Sequence, residues 1–439
     1  MVHDAQATTA LESWGRYPRA RAIARPLHWA DEPLPIGAGE KVLPYGNGRS
    51  YGDSCLNDDG VLLCTRELHH LRSFDRATGV LRIEAGALLA EILEVAVPAG
   101  WFLPVTPGTK FVTIGGAVAI VVHGKNHHVA GCLGSHVLRL ELLRSSGERL
   151  LCSQTENPAK FAATIGGLGL TGLITWVELQ LLKIDGPFIE TDNVVLDGLD
   201  DFFAVSAESA GWPYTVAWID SVARGAHLGR GIFFRGRHTS GAGAPRRPLL
   251  GGLLRVPFTM PPKLLNRHTI RAFNTVVGTA WRRQAGHPGR AHYEPFFYPL
   301  DAVGSWNRIY GPGGLMQYQC VVPHGHQGAI RELLDDVASA SGSFLTVLKI
   351  FGDIPSPGIM SFPRPGITLN LDFPFDGPRT LALCDRLDAI VRAANRALYP
   401  AKDARMPRDM FERSFPRLNE FLPHIDPRFS SSFWRRVHA

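Results

Sequence analysis

Residues 101–128 read WFLPVTPGTKFVTIGGAVAIVVHGKNHH and combine more backbone and chemical demands than any other part of the chain. Two prolines and a glycine within 104–108 impose an irregular backbone, and Gly115-Gly116 lets the chain turn sharply or approach a ligand closely. An apolar run over 117–122 then ends in the polar cluster HGKNHH at 123–128. Backbone amides in glycine-rich turns bind phosphate, and imidazole and ammonium groups can serve a reacting centre. The stretch therefore predicts the floor of a cofactor site, the alternative being a buried turn followed by a solvated loop.

Two further glycine-rich turns lie on either side of this stretch. VLPYGNGRSYGDSCLNDDG at 42–60 carries Gly46, Gly48 and Gly52, and FAATIGGLGLTG at 161–172 carries four glycines. The first turn resembles the GxGxxG fingerprint of nicotinamide dinucleotide sites, but its third glycine comes one residue late and no clear helical pattern follows. We therefore expect a different phosphate-binding arrangement, in which the glycine-rich segments converge on one extended ligand.

The length of 439 residues predicts two domains. Residues 1–185 mix short strands, a helical pattern at 88–99 and the glycine-rich turns, which indicates an α+β domain. Residues 186–395 combine strand patterns with two long helical patterns, which predicts a second α+β domain, an antiparallel sheet with helices on one face. Residues 396–439 form a C-terminal segment that we expect to return to the first domain.

Composition excludes several classes of protein. The six cysteines are scattered and form no CxxC pair, so we expect free thiols in a reducing compartment and no metal site. The N-terminus lacks the apolar core of a secretion signal, and no run of about 18 apolar residues exists. The sequence therefore predicts a cytoplasmic protein that is at most peripheral on the inner membrane.

Positive charge is concentrated in one segment. Residues 221–293 carry 13 Lys or Arg and no Asp or Glu, which leaves 33 basic against 40 acidic residues in the rest of the chain. A nucleic-acid site is disfavoured because no nucleic-acid motif accompanies the charge. An ordinary variable loop is one alternative. The favoured interpretation is a basic arm facing an anionic membrane, into which the apolar runs at 249–254 and 256–260 would dip.

Four motifs together resemble the flavin-binding domain of the vanillyl-alcohol oxidase/p-cresol methylhydroxylase superfamily. They are PYGNGRSYGD (44–53), VTPGTKFVTIGGAVA (105–119), HGKNHH (123–128) and TIGGLGLTGLIT (164–175). This resemblance implies two α+β subdomains around an extended FAD, with a cap domain over the flavin ring. AWIDS (217–221), YPLDAVGSWNRIYGP (298–312), LKIFG (348–352), LDFP (371–374) and AKDAR (401–405) bring the chain closest to the oxidase subunits of decaprenylphosphoryl-β-D-ribose 2′-epimerases.

The resemblance implies an FAD-dependent oxidoreductase. The expected reaction oxidises a secondary alcohol of a sugar, the 2′-hydroxyl of a polyprenyl-phosphate-linked pentose, to a ketone. This would be the first half of an epimerisation that a short-chain NAD(P)H reductase completes. The alternatives are oxidation of a soluble alditol, aldonolactone or glycoside, and a non-catalytic flavin-binding subunit.

The resemblance also implies the cofactor residues. Gly48-Arg49-Ser50 stands where many members carry a histidine that attaches FAD covalently, so we expect non-covalent FAD. The expected cofactor-binding residues are Gly46, Asn47, Gly48, Arg49, Ser50, Tyr51, Pro107, Gly108, Thr109, Thr113, Gly115, Gly116, Ala117, His123, Asn126, Gly167, Gly169, Thr171, Gly172, Ile174 and Lys402.

His123, Lys402 and Tyr51 are the expected catalytic residues. His123 would cover the flavin or act as a base, unless it is a core histidine, and Lys402 would stabilise the reduced flavin. Tyr51 would lie against the flavin or be a packed aromatic. The spacing of Gln317 with Gln319, and of Lys349 with Phe351, puts each pair on one face of a strand; that face would line the substrate cavity, the alternative being core packing. The expected substrate residues are Lys125, Trp218, Asn307, Gln317, Gln319, Lys349, Phe351, Thr368 and Asn370.

One wall of the expected pocket departs from the family. Thr368 and Asn370 stand where the resembled enzymes carry Asn and Cys, and Phe297-Tyr298 replaces a Tyr-His pair. These departures imply a changed sugar or carrier.

Overall fold

The computed structural model describes residues 8, 9, 11–241, 254–340 and 342–438. Its strands are β1 Thr8–Thr9, β2 Ala22–Pro26, β3 Val42–Tyr45, β4 Val61–Cys64, β5 Leu71–Asp75, β6 Val80–Glu84, β7 Trp101–Phe102, β8 Val137–Leu143, β9 Arg149–Ser153, β10 Leu173–Gln180, β11 Leu182–Lys183, β12 Phe188–Leu196, β13 Tyr214–Ile219, β14 Gly231–Thr239, β15 Leu254–Arg255, β16 Gly289–His292, β17 Val303–Gly304, β18 Leu315–Val322, β19 Thr346–Phe351, β20 Gly366–Pro374 and β21 Ala397–Leu398. Its helices are α1 Leu89–Ala96, α2 Ile114–Ala119, α3 His127–Ala130, α4 Pro158–Thr164, α5 Leu199–Glu208, α6 Arg267–Gln284, α7 Tyr293–Phe297, α8 Gln327–Ser339, α9 Pro378–Ala393, α10 Arg408–Ser414, α11 Leu418–Phe421 and α12 Ser432–His438.

The first 185 residues form two main sheets. One has the order β1-β2-β4-β3, with β2 and β3 both parallel to β4, and the other is antiparallel with the order β5-β6-β10-β8-β9. The chain reverses between β5 and β6 in a turn where Asp75 Oδ1 accepts from the Ala77 amide at 2.8 Å. Helices and antiparallel sheets occur together throughout the chain, as the α+β assignment expects.

Residues 101–128 run from β7 through an irregular loop into the short helix α2. Thr113 caps this helix by accepting from the Gly116 amide at 3.3 Å. The Gly115 amide donates to the Ala85 carbonyl at 2.8 Å, which brings the two backbones together. Glycine is required at this distance because a Cβ would lie 2.7 Å from the Ala85 side chain. The helix therefore sits directly on the end of β6. Val121 then adopts a φ of 47°, a left-handed conformation that is unusual for a β-branched residue, before the chain reaches His123.

The second half is built on an eight-stranded sheet with the order β16-β12-β14-β13-β19-β20-β18-β21. Its pairings are antiparallel throughout, as the sequence predicts. Helices α5, α8 and α9 contribute to one large apolar core with residues such as Leu348, Leu369 and Cys320. Residues of opposite parity on β18, β19 and β20 point to the other face, which we call the polar face.

Helix α6 differs from the expectation that helices occupy one face only. The centre of its Trp281 ring lies 5.1 Å from that of Trp218 and 5.0 Å from that of Phe234. The strand register directs both of these side chains to the polar face. Ile270, Phe273, Val277 and Trp281 recur at helical spacing along α6, so the sequence carries a helical pattern that the expectation of a membrane-facing arm left aside.

The basic segment 221–293, which carries no Asp or Glu, contains two different structures. Residues 231–239 form β14 inside the sheet, where Arg235 pairs with Asp192 at 2.6 Å and Arg237 with Glu190 at 2.9 Å on β12. Residues 254–284 leave the sheet as β15 and α6 and expose Phe258 and Val276, 62% and 70% accessible. The expected apolar run at 249–254 lies outside the described residues except for Leu254.

The C-terminal segment adds β21 to the sheet and then packs against the first half of the chain. The Ser430 amide donates to the Val42 carbonyl at 2.9 Å, and Arg436 pairs with both Asp53 at 2.7 Å and Asp403 at 2.9 Å. These contacts hold the turn that carries Lys402 against the glycine-rich turn at 46–52.

Candidate functional site

A narrow groove lies where the glycine-rich turns meet. Of the expected cofactor residues, it is lined by Gly46, Asn47, Gly48, Arg49, Ser50, Thr113, Gly115, Gly116, Gly169, Thr171, Gly172 and Ile174. Other residues that line the groove were not predicted from the sequence. They are Pro44, Ser54, Cys55, Thr65, Ala85, Val112, Ala119, Ile120, Thr164, Leu168 and Leu173. These residues are scattered over strands, helices and loops and share no residue type, so no local signal marks them.

Close approach of backbone segments explains the glycines of the groove. A Cβ on Gly46 would lie 2.4 Å from Thr113 Oγ1, and Gly48 combines a φ of 57° with only 2.2 Å between such a Cβ and the Tyr45 hydroxyl. The buried Ser54 hydroxyl has no hydrogen-bond partner among the described residues. The groove thus presents exposed backbone groups and the Ser54 hydroxyl, which could hydrogen-bond to a long polar ligand.

At Asn47–Arg49 the groove adjoins a wider cavity of about 490 Å³. Arg49 is largely buried, with its guanidinium 4.0 Å from the centre of the Trp14 ring. Asn307 lines the cavity and donates to the Trp14 carbonyl at 2.9 Å. Phe258 of the arm also contributes to the wall.

Several expected cofactor residues lie outside the groove walls. Ala117 packs in the apolar core of the first domain, and Asn126 donates to the Pro104 carbonyl at 2.7 Å, which secures the loop before α2. A Cβ on Gly167 would lie 2.2 Å from the Ala163 carbonyl, so this glycine serves the turn after α4. Pro107, Gly108 and Thr109 belong to the loop that precedes α2, and Tyr51, His123 and Lys402 also lie outside the groove walls.

Strand register brings most of the expected substrate residues together. Gln317, Gln319 and Val321 on β18 lie opposite Asp372, Asn370 and Thr368 on β20. On β19, Lys349 lies opposite Thr368 and Val347 opposite Asn370, and Phe351 has the same parity. Because directly paired residues share a face, these side chains line the polar face.

His123 meets this face from the first domain. Its Nε2 lies 2.9 Å from Gln319 Nε2, and the same amide nitrogen lies 3.1 Å from Thr368 Oγ1. Aromatic rings surround the imidazole, with Phe351 at 4.9 Å and Tyr399 at 5.0 Å between ring centres. Burial, then the charges of Lys349, His127 and Lys402, holds the pKa of His123 well below its usual value. The ring is therefore neutral.

A second cluster lies around Asp372, which sequence reasoning missed although it stands in the LDFP motif. This carboxylate is fully buried and accepts from Gln317 and, at 3.4 Å, from the Tyr310 hydroxyl. Burial raises its pKa to about 6, against the opposing effect of Gln317 and Lys402. A single Asp in a strand pattern carries no sign of such burial, which depends on the neighbouring strands.

Lys402 and Tyr51 complete this cluster. The Lys402 ammonium lies 3.8 Å from the centre of the Tyr51 ring. The Tyr51 amide donates to the Ala401 carbonyl at 2.8 Å, which joins the two segments directly. Burial lowers the pKa of Lys402 to about 7, although Asp372 opposes the shift.

Three partly buried lysines give the surroundings of the polar face a positive character. Burial lowers the pKa of Lys125 to about 7 and that of Lys349 to about 8. The positive charge of Lys349 lowers the pKa of both Lys125 and Lys402 further. Among the described residues, none of the three ammonium groups forms an ion pair with a carboxylate. An anionic ligand would relieve this repulsion.

Two expected substrate residues lie at the edges of the cluster. The Lys125 ammonium donates to the Phe296 carbonyl and lies 4.4 Å from the centre of the Phe296 ring. Trp218 packs against Trp281 of α6. Over the described ranges, no set of three His, Cys, Asp or Glu residues could hold a metal ion, and no helix has the length and apolarity to span a bilayer.

Comparisons with known proteins connect these features to a family. A family model described as an FAD binding domain matches residues 36–153. The chain is 33% identical to decaprenylphosphoryl-β-D-ribose oxidase of Mycolicibacterium smegmatis, over 98% of this chain and 97% of the relative. It is 33% identical to an uncharacterized protein in the mprA 5′ region of Streptomyces coelicolor, over 80% and 99% of the two chains. It is 29% identical to L-gulonolactone oxidase of Mus musculus over 37% of each.

The matches and the sheet architecture define an FAD-dependent oxidoreductase that acts on CH–OH groups. The chain belongs to the FAD-linked oxidases of the vanillyl-alcohol oxidase/p-cresol methylhydroxylase superfamily, in the group that includes decaprenylphosphoryl-β-D-ribose oxidase. The groove fits this cofactor because its glycines leave backbone exposed between two sheets and its Ser54 hydroxyl lacks a partner among the described residues.

The lowered pKa of Lys349 predicts a pH-dependent stability difference. A lysine whose pKa falls on folding destabilises the fold below its folded-state pKa, and the penalty disappears as the pH rises toward the ordinary lysine pKa of the unfolded chain. We expect Lys349→Met to melt a few degrees above the wild type at neutral pH, with the difference shrinking from about pH 8 to about pH 10. The exposed Lys183→Met is the control. A difference that stays constant across this range would contradict the buried-charge account.

Proposed function

We propose that the enzyme oxidises the 2′-hydroxyl of a polyprenyl-phosphate-linked pentose to a ketone, as the first half of an epimerisation. The observation that carries this proposal is a group of three partly buried lysines, Lys125, Lys349 and Lys402. Lys349 lowers the pKa of the other two, and none of the three forms an ion pair with a carboxylate among the described residues. A neutral sugar would leave their mutual repulsion in place, whereas a phosphate-linked sugar would offset it. The relative from Mycolicibacterium smegmatis, named for a substrate of this kind, supports the same assignment.

In this proposal the groove holds the extended part of FAD. The turns at 46–50, 113–116 and 169–172 would present backbone amides to the pyrophosphate, because glycines allow the closest approach. Tyr51, His123 and Lys402 would surround the flavin ring. When bound, FAD supplies the acceptor for the hydride removed from the carbinol carbon.

The chain's own residues would control charge and protons. Lys402 and Lys349 are partly buried, and a positive charge there would stabilise the negative charge that develops during oxidation. A base must also accept the hydroxyl proton, and both Lys402 and His123 are candidates by position. The Lys402 pKa of about 7 allows a neutral amine at working pH.

A soluble alditol, aldonolactone or glycoside is the second candidate substrate. Thr368 and Asn370 favour it mildly, because they differ from the Asn and Cys expected in the family at one wall of the pocket. The proposed reductase partner belongs to the first candidate only, since a soluble substrate requires no epimerisation.

An anaerobic flavin-reduction screen discriminates between these substrates. We expect a prenylphosphoryl ribose to bleach the bound flavin, and free ribose, alditols and lactones to leave it oxidised. Lys349→Met should raise the substrate concentration needed by about tenfold or more, and Lys349→Arg should retain much of the affinity, because the charge is what binds. Equal bleaching by free and lipid-linked sugars would favour the second candidate.

Non-covalent attachment of FAD follows from Gly48-Arg49-Ser50, where no histidine is available for a covalent bond. We expect acid precipitation of the purified protein to leave all yellow colour in the supernatant. A pellet that stays yellow, with a mass increase of one FAD per chain, would contradict this prediction. Cys55 of the groove wall is then the first residue to test, because it is the thiol lining that groove.

We also propose that the arm at 254–284 rests on an anionic membrane. Phe258 and Val276 are exposed there beside Arg271 and Arg283, which are exposed too. The described arm contains no acidic side chain to offset these charges. A lipid-linked substrate could then reach the cavity beside Phe258 from the bilayer surface.

Flotation with liposomes tests the arm. The wild type should float with phosphatidylserine vesicles at low salt and lose binding at high salt. A Phe258→Ser, Arg271→Ala, Arg283→Ala variant should stay at the bottom. The control Trp29→Ser, Arg19→Ala, Arg76→Ala removes an equally exposed aromatic and two arginines elsewhere. Equal flotation of both variants would refute membrane binding through the arm.

A further inference from the structure

Thr368 stands at the start of a hydrogen-bond chain that ends at His123. It is fully buried on β20, with its hydroxyl oxygen 2.9 Å from the Cys320 carbonyl and 3.1 Å from Gln319 Nε2. Gln319 Nε2 lies in turn 2.9 Å from His123 Nε2. Thr368 is also one of the positions where this chain departs from the residues of the enzymes that it resembles.

The protons in this chain can be assigned in order. A carbonyl oxygen only accepts, so the single proton of the Thr368 hydroxyl is donated to Cys320. The hydroxyl oxygen can then only accept from Gln319, which requires the NH₂ end of that amide to face it. Were the amide reversed, its oxygen would face an oxygen that has no proton left to donate.

The second proton of the Gln319 amide is directed at His123. Nε2 of the imidazole must therefore carry a lone pair. The ring is neutral, because burial and the charges of Lys349, His127 and Lys402 disfavour a second proton. A neutral imidazole carries one proton, so that proton is on Nδ1.

The two ring nitrogens of His123 have different surroundings. The Val121 carbonyl raises the pKa of the ring, as an acceptor near a ring N–H does. Nδ1 is buried and has no hydrogen-bond partner in good geometry among the described residues, so Gln319 at Nε2 is the contact that selects the tautomer.

We propose that Thr368 is a positioning residue that acts through Gln319 to hold His123 in its Nδ1-protonated form. His123 then has an N–H to donate and no free lone pair with which to accept the hydroxyl proton. That His123 cannot accept the hydroxyl proton rests on the proposed function, whereas the tautomer itself does not. With His123 unable to accept this proton, Lys402 is the base.

The tautomer is directly measurable by long-range ¹H–¹⁵N NMR of the histidine-labelled holoprotein. His123→Asn assigns the signal by its disappearance. We expect the wild type to show a protonated Nδ1 and an unprotonated Nε2. Thr368→Ser keeps the hydroxyl and should keep this pattern, while the isosteric Thr368→Val should give a mixture of both tautomers.

Thr346→Val is a matched control for Thr368→Val. Thr346 is an equally buried threonine on the neighbouring strand β19, and its hydroxyl has no hydrogen-bond partner among the described residues. This control should leave the His123 signal unchanged. A wild-type signal protonated at Nε2, or a Thr368→Val signal identical to the wild type, would overturn the proposal.

Flavin reduction provides the second readout. Thr368→Val should slow reduction by substrate about tenfold, the equivalent of one hydrogen bond, with Thr368→Ser restoring most of the rate. An unchanged rate of flavin reduction in Thr368→Val, together with a mixture of tautomers, would overturn the claim that the N–H donor of His123 contributes to the reaction. If no sugar reduces any variant, the proposed function fails while the tautomer result stands.

Discussion

The pairing of β20 with β18 and β19 is the constraint on which the pocket depends. Side chains alternate across a sheet, so a slip of one residue in β20 would turn Asp372, Asn370 and Thr368 into the apolar core. The same slip would bring Leu369 and Leu371 to the polar face. Packing of α8 and α9 against the apolar face therefore fixes the polar face as well. The arrangement of Thr368, Asn370 and Asp372 is thus a consequence of core packing on the reverse of the sheet.

Charge is the second organising feature. Three partly buried lysines and the buried carboxylate of Asp372 lie close enough to act on one another, and burial shifts the pKa of each toward its neutral form. Groups with such shifted pKa values cluster at functional sites. The turn at 401–403 is anchored to the first half of the chain through Arg436, Asp53 and Asp403, so that Lys402 keeps its place despite the repulsion from Lys349.

Local patterns predicted a large part of this structure. The glycine turns could be recognised because close backbone approach permits no other residue, and the i, i+2 spacing of Gln317 with Gln319 already put both on one face. The burial of Asp372, the φ of Val121 and the position of α6 could not be predicted in the same way. Asp372 is buried by contacts with Gln317 and Tyr310, and α6 is placed on the polar face by the contact of Trp281 with Trp218. No residue type in the local sequence signals the left-handed φ of Val121. The role of Thr368 likewise needed the distances to Cys320 and Gln319.

The reduction potential of the bound flavin tests the central claim that this pocket is a positive site facing FAD. Reduction adds negative charge to the ring, so a nearby ammonium raises the potential. Lys402→Met should lower the two-electron potential by about 30 mV or more, which corresponds to about 1.4 kcal/mol, and the exposed Lys183→Met should leave it unchanged. Identical potentials in the wild type and in Lys402→Met would contradict the account.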